Sequence, residues 1–226
     1  MEKYALVAVP VVDSIGRLVG RITVDDVMDE VREQAERDYQ LASGLSQDVE
    51  TDDSVFRQTT ARLPWLLIGM LGGIGNSMIL GNFDTTFAAH PEMALYIPLI
   101  GGTGGNVGTQ SSALVVQGLA NSSLSAENTF KQVLKESVVA LINATIISML
   151  VYIYNFIRFG ANATVSYSVS ISLFAVVMFA SIFGTLVPMT LEKLKVDPAI
   201  ATGPFISITN DIIGMLMYMG ITVLLA

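Results

Sequence analysis

Asp211 lies near the middle of the 27-residue run Ile200–Ala226, which contains no other charged side chain. A run of that length and apolarity is what a helix needs to cross a hydrocarbon core roughly 30 Å thick. The carboxylate is therefore expected near the bilayer midplane, where placing it costs at least about 2.5 kcal/mol on insertion scales. An acid kept at that cost normally serves a proton, a cation or a counter-charge; the plainer alternative is a protonated Asp packed between helices. At helical spacing Gly203, Pro204, Ser207, Gly214 and Tyr218 share the face of Asp211, while Ile212, Ile213, Leu216 and Ile221 point elsewhere. One stripe of the helix is thus small and polar.

A second segment complements it. Between Pro98 and Gln110 there are five glycines, with Asn106, Thr109 and Gln110 beside them. This density predicts irregular backbone, tolerated at membrane depth only where it is buried in protein or lines a water-filled cavity. Gly105, Gly108 and Thr109 are expected to line such a cavity, together with Gly203 and Gly214. Close helix packing through small residues explains the glycines equally well, but not the Asn and Gln. The available ligands are carboxylate, carboxamide, hydroxyl and carbonyl oxygens, and the chain has no cysteine. Oxygen-only chemistry suits hard cations. Magnesium retains several waters and needs one or two carboxylates, whereas calcium wants six to eight oxygens. One carboxylate is a poor cage for a dication, so two copies of Asp211 facing each other across a two-fold axis are expected, which makes the protein a homodimer.

The elements that position these residues follow from composition. Apolar residues make up 52% of the chain and charged residues 14%, well below a soluble average of roughly 25%. The first 61 residues hold 13 acids and 6 bases; the remaining 165 hold 7 and 6. The chain thus divides near Arg62 into an acidic aqueous part and a membrane part, and its net charge of −8 offers no basic surface for nucleic acid. Five stretches are long enough to span: about Leu63 to Phe83, Met93 to Leu119, Ser137 to Ile157, Val169 to Leu191 and Ile200 to Ala226. Arg57, Arg62, Lys131, Lys135, Lys193 and Lys195 flank one side and Arg158 the other, which places the amino end in the cytoplasm and the carboxyl end outside a cell membrane. With no cleavable signal pattern at its start, the first span is expected to direct insertion. Gly69 and Gly73 in the first span, and Ala180, Gly184 and Pro188 in the fourth, read as close-packing positions. His90, in an outer loop, is expected to be solvated, and the sequons at Asn121 and Asn162 to be chance patterns.

Residues 4–28, YALVAVPVVDSIGRLVGRITVDDVM, give an apolar run, a turn at Asp13–Gly16, an alternating strand and two acids that open a helix. They resemble the second half of a CBS repeat, on the pattern P-V-V-D…G-R-L-V-G-R-I-T-V-D-D, and imply a fragment of a cytoplasmic sensor. From Asp26 to about Gln47 a polar amphipathic helix is expected under the membrane part. Its acids Asp25, Asp26, Asp29, Glu30, Glu33 and Glu36 repel one another unless cations collect there. A solvated helix face is the alternative.

IPLIGGTGGNVGTQSSALVVQGLA (97–120) and VDPAIATGPFISITNDIIGMLMYMGI (196–221) resemble the two signature segments of MgtE-type magnesium transporters, and the similarity in order and topology extends along the whole chain. The resemblance implies an all-α integral membrane protein of five transmembrane helices: a partial CBS element at 1–28, a connecting (plug) helix and linker at 29–61, and the membrane domain at 62–226. It further implies a homodimeric, channel-like, magnesium-selective pore whose ion is held by Asp211, with the Ser207 carbonyl and the Asn106 amide nearby. In the family, intracellular Mg²⁺ binds acids of the CBS and connecting helices and closes the pore. Here the matching acids are Asp25, Asp26, Asp29, Glu33 and Asp38, although Arg37 stands where an acid is expected. An H⁺- or Na⁺-coupled carrier or exporter of divalent cations would use Asp211 as well. An intramembrane aspartyl hydrolase would need two carboxylates sharing a proton, and each chain is expected to supply one deep acid. A membrane sensor without transport would not need the polar stripe.

Overall fold

The computed structural model describes residues 1–121, 124, 129–160 and 164–225; Asn162 and its sequon therefore lie outside the described residues. The chain opens with an antiparallel hairpin of β1 (Ala8–Val12) and β2 (Leu18–Thr23), paired Ala8 with Thr23 and Val11 with Gly20. Its turn is held by Asp13, whose Oδ1 accepts hydrogen bonds from the amides of Ile15 at 3.0 Å and Arg17 at 2.8 Å. Gly16 supplies the left-handed backbone there, with φ of +81°. Helix α1 (Val24–Ala42) follows directly. It starts as a capping box, with Asp26 reaching back to accept from the Thr23 amide and hydroxyl, both at 2.7 Å. It ends earlier than Gln47, because Gly44 takes φ of +82° and its amide closes on the Leu41 carbonyl.

Beyond this unit lie α2 (Val55–Gly81), the short α3 (Asp84–Ala89), α4 (Ile97–Ala120), α5 (Thr129–Phe159), α6 (Thr164–Lys193) and α7 (Gly203–Leu225). Among the described residues, α2, α5, α6 and α7 are long and apolar enough to cross a membrane on composition alone. Helix α4 has 24 residues, about 36 Å at 1.5 Å per residue, so its length suffices. Its glycines, Asn106, Gln110 and Gln117 make it less apolar.

The glycine-rich segment was expected to break. It does not: α4 runs unbroken from Ile97 to Ala120. The glycines act instead as the surface on which neighbouring helices close. A Cβ on Gly108 would overlap the Asn210 side chain of α7, and one on Gly184 of α6 would overlap the Gly108 carbonyl. A Cβ on Gly104 would stand 3.0 Å from Val176 Cγ1. In hydrocarbon, such small-residue contacts let backbones approach and gain dispersion where no hydrophobic drive separates helix from lipid.

Helix α6 is the axis of the bundle, packed against α4, α5 and α7, and α2 packs on α7. Gly69 and Gly72 face Ile208 of α7, while Gly73 faces open space, so the small-residue face of α2 meets α7 rather than α4. A buried core of Met93, Tyr96, Ile100, Val169, Leu173, Val176, Tyr218 and Met219 fills the end of the bundle far from α1. It is pinned by Tyr218 donating to the Met93 carbonyl at 2.8 Å and by Tyr96 donating to Asn155. At the near end, Gly203 has φ of +46° and lies against the Ala42 carbonyl, and a Cβ on Gly44 would stand 2.5 Å from Pro204 Cγ. The base of α7 is thereby seated on the end of α1.

Two outcomes follow from these contacts. Gly108→Ala should destabilise the bundle by about 1–3 kcal/mol, since a methyl there is overpacked. Gly102→Ala, which meets nothing within 4 Å, should not; thermal unfolding of the two variants in detergent compares them, and equal midpoints would refute the role given to Gly108. The second concerns the cap. The Thr23 hydrogen bonds hold the Asp26 carboxyl below its usual range. A depressed carboxyl contributes stability above its unfolded value of about 3.9, lost as pH falls through the lower folded one. Protection of the Thr23 amide relative to its intrinsic exchange rate should therefore persist down to about pH 4 and be lost below it, whereas Asp26→Asn should reduce it already at neutral pH.

Candidate functional site

Helix α7 carries Ser207 and Asp211 one turn apart, and α4 presents Gly101, Gly105 and Thr109 to them at the same four-residue spacing. A Cβ on Gly101 would stand 3.4 Å from Asp211 Oδ1. One on Gly105 would stand 3.4 Å from the same oxygen and 3.2 Å from Ser207 Oγ. The hydroxyls of Thr109 and Ser207 are 3.5 Å apart. The carboxylate thus rests against bare α4 backbone, with a ladder of hydroxyls running from it toward the α1 end. Asp211 and Ser207 are both only half-buried, so the groove is open on one side. Asp211 stands eight residues from the start of α7, about 12 Å along it.

The other expected site residues distribute unevenly. Asn106 is exposed on α4, about 100° around the helix from Gly105, and makes no hydrogen bond to Ser207 or Asp211. Gly108 is buried in the packing contact with Asn210 and Ile206 rather than open to the groove. Gly214 faces Val176 of α6, where a Cβ would stand 3.2 Å from Cγ1, and Gly203 abuts the end of α1. Asn210 is 1% exposed, with neither side-chain polar atom hydrogen-bonded, and occupies the notch that Gly108 leaves. Gly101 is a wall of the groove that sequence reasoning passed over, although it lies one turn before Gly105.

The acids of α1 do not converge. Asp26 is engaged in the cap, Glu33 pairs with Arg37 at 3.1 Å, and Arg37 also reaches Glu30 at 3.6 Å. Asp25 and Asp29 are exposed. Asp38 alone among the expected five faces the membrane part: it accepts from Gln34 at 2.7 Å and borders a cavity of about 410 Å³ with Glu192, Lys195 and Asp197. Among the described residues no three His, Asp or Glu side chains are grouped to hold a metal.

A second buried acid was not foreseen. Glu136 of α5 is 9% exposed and takes hydrogen bonds from Ser111 of α4, at 2.7 Å, and from Ser181 of α6. Sequence placed it in the polar flank beside Lys135, outside the span begun at Ser137; α5 in fact starts at Thr129 and carries Glu136 two turns inward.

The Gly105 contact fixes one outcome. Gly105→Leu should fill the groove against Ser207 and Asp211 and abolish cation flux into liposomes, while Gly73→Leu, on α2 with nothing within 4 Å of its Cβ position, should leave it. Equal flux through both would remove the groove from the ion path.

A family model described as a divalent cation transporter, MgtE, matches residues 97–221, the stretch from the start of α4 into α7. A magnesium transporter MgtE of Bacillus subtilis is 34% identical over 98% of this chain and 49% of its own length. The one from Thermus thermophilus is 33% identical over 100% of the chain and 50% of its own, and the one from Enterococcus faecalis 30% over 98% and 48%. The chain spans about half the length of the curated relatives it matches. The family is one of transporters rather than enzymes, which removes the hydrolase alternative. With more than half of its residues under the family model and whole-chain similarity to three curated members, the chain belongs to the MgtE family of divalent cation transporters.

Proposed function

We propose that this chain forms the membrane part of a magnesium transporter, with five spans (α2, α4, α5, α6 and α7) in residues 62–226, α4 being the polar one. Residues 1–28 are then the edge of a CBS domain and 29–61 the connecting helix and linker. The observation that supports this most is the half-buried Asp211 carboxylate seated against Gly101 and Gly105, with Ser207 and Thr109 along the same groove. Bare backbone on one wall lets the carboxylate lie close against α4, the open side is left for an ion that keeps its water, and the hydroxyls offer oxygens to those waters.

A hydrated Mg²⁺ entering this groove meets one carboxylate per chain. A second copy, placed with its groove facing the first, raises the local charge to −2 and balances the ion at the depth where leaving bulk water costs most. Asn106, exposed on the same open side, would then reach the hydration shell. Flux through such a dimeric pore is passive and driven by the membrane potential, which acts on a dication with about 4.6 kcal/mol per 100 mV across the full membrane, twice the single-charge value. The amino end lies in the cytoplasm of the cell membrane in this arrangement.

Asp211→Asn keeps volume and one acceptor oxygen but removes the charge. Mg²⁺ affinity in the membrane part should fall at least about tenfold, or ~1.4 kcal/mol, and Mg²⁺ flux into liposomes should be lost while the dimer persists. Equal, Mg²⁺-selective flux from wild type and variant would refute the proposal. Regulation by intracellular Mg²⁺ is assigned to Asp38 before the other α1 acids, because it borders the α6–α7 junction while Glu33 is neutralised by Arg37 and Asp26 is used in the cap. Mg²⁺-dependent protection of α1 from protease should accordingly drop more for Asp38→Asn than for Asp25→Asn or Asp29→Asn; the reverse order would return the role to the exposed face.

A further inference from the structure

Glu136 poses a problem that Asp211 does not. A carboxylate 9% exposed inside a helical bundle carries a large desolvation penalty unless charge or hydrogen bonds compensate it. Its compensation within the chain is two serine hydroxyls, both donating to Oε1: Ser111 at 2.7 Å and Ser181. These serines also touch each other at 3.0 Å, but each has one hydroxyl hydrogen, and the carboxylate takes both. Yet no ion pair among the described residues includes Glu136. Every Lys and Arg of the chain falls within the described residues, so none elsewhere in the sequence is left to supply one.

What Glu136 does have is space. It borders a cavity of about 450 Å³ between α4, α5 and α6, enough for several waters. The wall adds the carboxamides of Gln110, Gln132 and Asn143 to the two serine hydroxyls. This cavity is separate from the Asp211 groove. Ser111 lies six residues beyond Gly105 on α4, about 9 Å along the axis and about 120° around it. The two acids therefore look at different sides of the same helix.

We infer that this cavity is a second cation site of the membrane part, holding a monovalent alkali cation through Glu136 and the neutral oxygens of Gln110, Gln132 and Asn143. All the donors are hard oxygens, which excludes soft metals. Charge sets the valence. The wall holds one carboxylate and one ammonium, Lys135, so a dication would leave twice the excess charge that a monovalent cation leaves. The carboxamides can each turn a carbonyl oxygen toward the ion, and the serines hold the carboxylate so that it need not reorganise. The site does not depend on Asp211 carrying Mg²⁺.

Radiolabelled sodium binding to the whole chain in detergent at neutral pH tests this. Wild type should retain about one ion per chain, displaced by unlabelled Na⁺ or K⁺ and insensitive to equimolar Mg²⁺. Glu136→Gln keeps an acceptor for both serines and the same volume, and should lower affinity at least about tenfold. Lys135→Gln, at an exposed position with little consequence for folding, should raise affinity several-fold by removing a competing charge. Asp211→Asn should retain the sodium, which separates failure here from failure of the Mg²⁺ proposal. The inference is overturned if wild type holds no sodium, if Glu136→Gln binds as wild type does, if Lys135→Gln weakens binding, if equimolar Mg²⁺ displaces the label, or if binding is lost in Asp211→Asn.

Discussion

The three-way contact at Gly108 sets the geometry of the membrane part. Asn210 of α7 fills the space where a side chain of α4 would be, and Gly184 of α6 brings its backbone against the Gly108 carbonyl from the other side. In water the burial of apolar surface would hold such helices together; in lipid it is replaced by close dispersion contact, which falls away within an ångström of gap. The interface therefore tolerates one register. Sliding α4 by a single turn, about 5.4 Å, would bring Gly104 or Ser112 opposite Asn210 and would set Ile97 or Thr109 beside Asp211 in place of one of its two glycines. The bare wall beside the carboxylate is thus a consequence of the packing that fixes the helix, and the same residues that look like a ligand motif are in part a packing motif.

How much of this was legible in the sequence depends on range. The shared face of Ser207 and Asp211, and of Gly105 and Thr109, follows from helical periodicity alone, and the structure sets these faces toward each other. The continuity of α4 was not legible. Five glycines in eleven residues weaken a helix in water through backbone entropy, but α6 and α7 enclose this one and its hydrogen bonds have no competing partner in hydrocarbon. Gly203 and Gly214 share the Asp211 face by spacing, yet the first is consumed by the turn onto α1 and the second by Val176, contacts that no local pattern encodes. Glu136 escaped because the apolar run was taken to begin after it, while α5 in fact starts two turns earlier with Lys131 and Lys135 on its outer side.

The amino-terminal part shows the same division between local and distant causes. The Asp13 turn, the Thr23–Asp26 cap and the Gly44 stop are each written in a few adjacent residues. Arg37 is different. Its effect comes from reaching Glu30 and Glu33 on its own helix, which converts part of an acidic stripe into exposed ion pairs of small individual value. Beyond those pairs, Asp25, Asp26 and Asp29 stand at the amino end of α1 and Asp38 near its carboxyl end, where the helix meets the α6–α7 junction.

Two acids in one bundle are held in opposite ways, and that difference carries chemical meaning. Asp211 is half-buried, touches glycine backbone and stays open on one side, so its charge can be met by water and by an ion that keeps its own waters. Glu136 is buried and gripped by two hydroxyls, so its carboxyl group is fixed in place by the protein. Helix α4 contributes to both, through Gly105 on one side and Ser111 on another, and its register is locked at Gly108 between them. Helix α4 thus holds one wall of the Asp211 groove and a hydrogen-bond donor to Glu136 in a fixed relation, six residues apart, with the Gly108 contact between them.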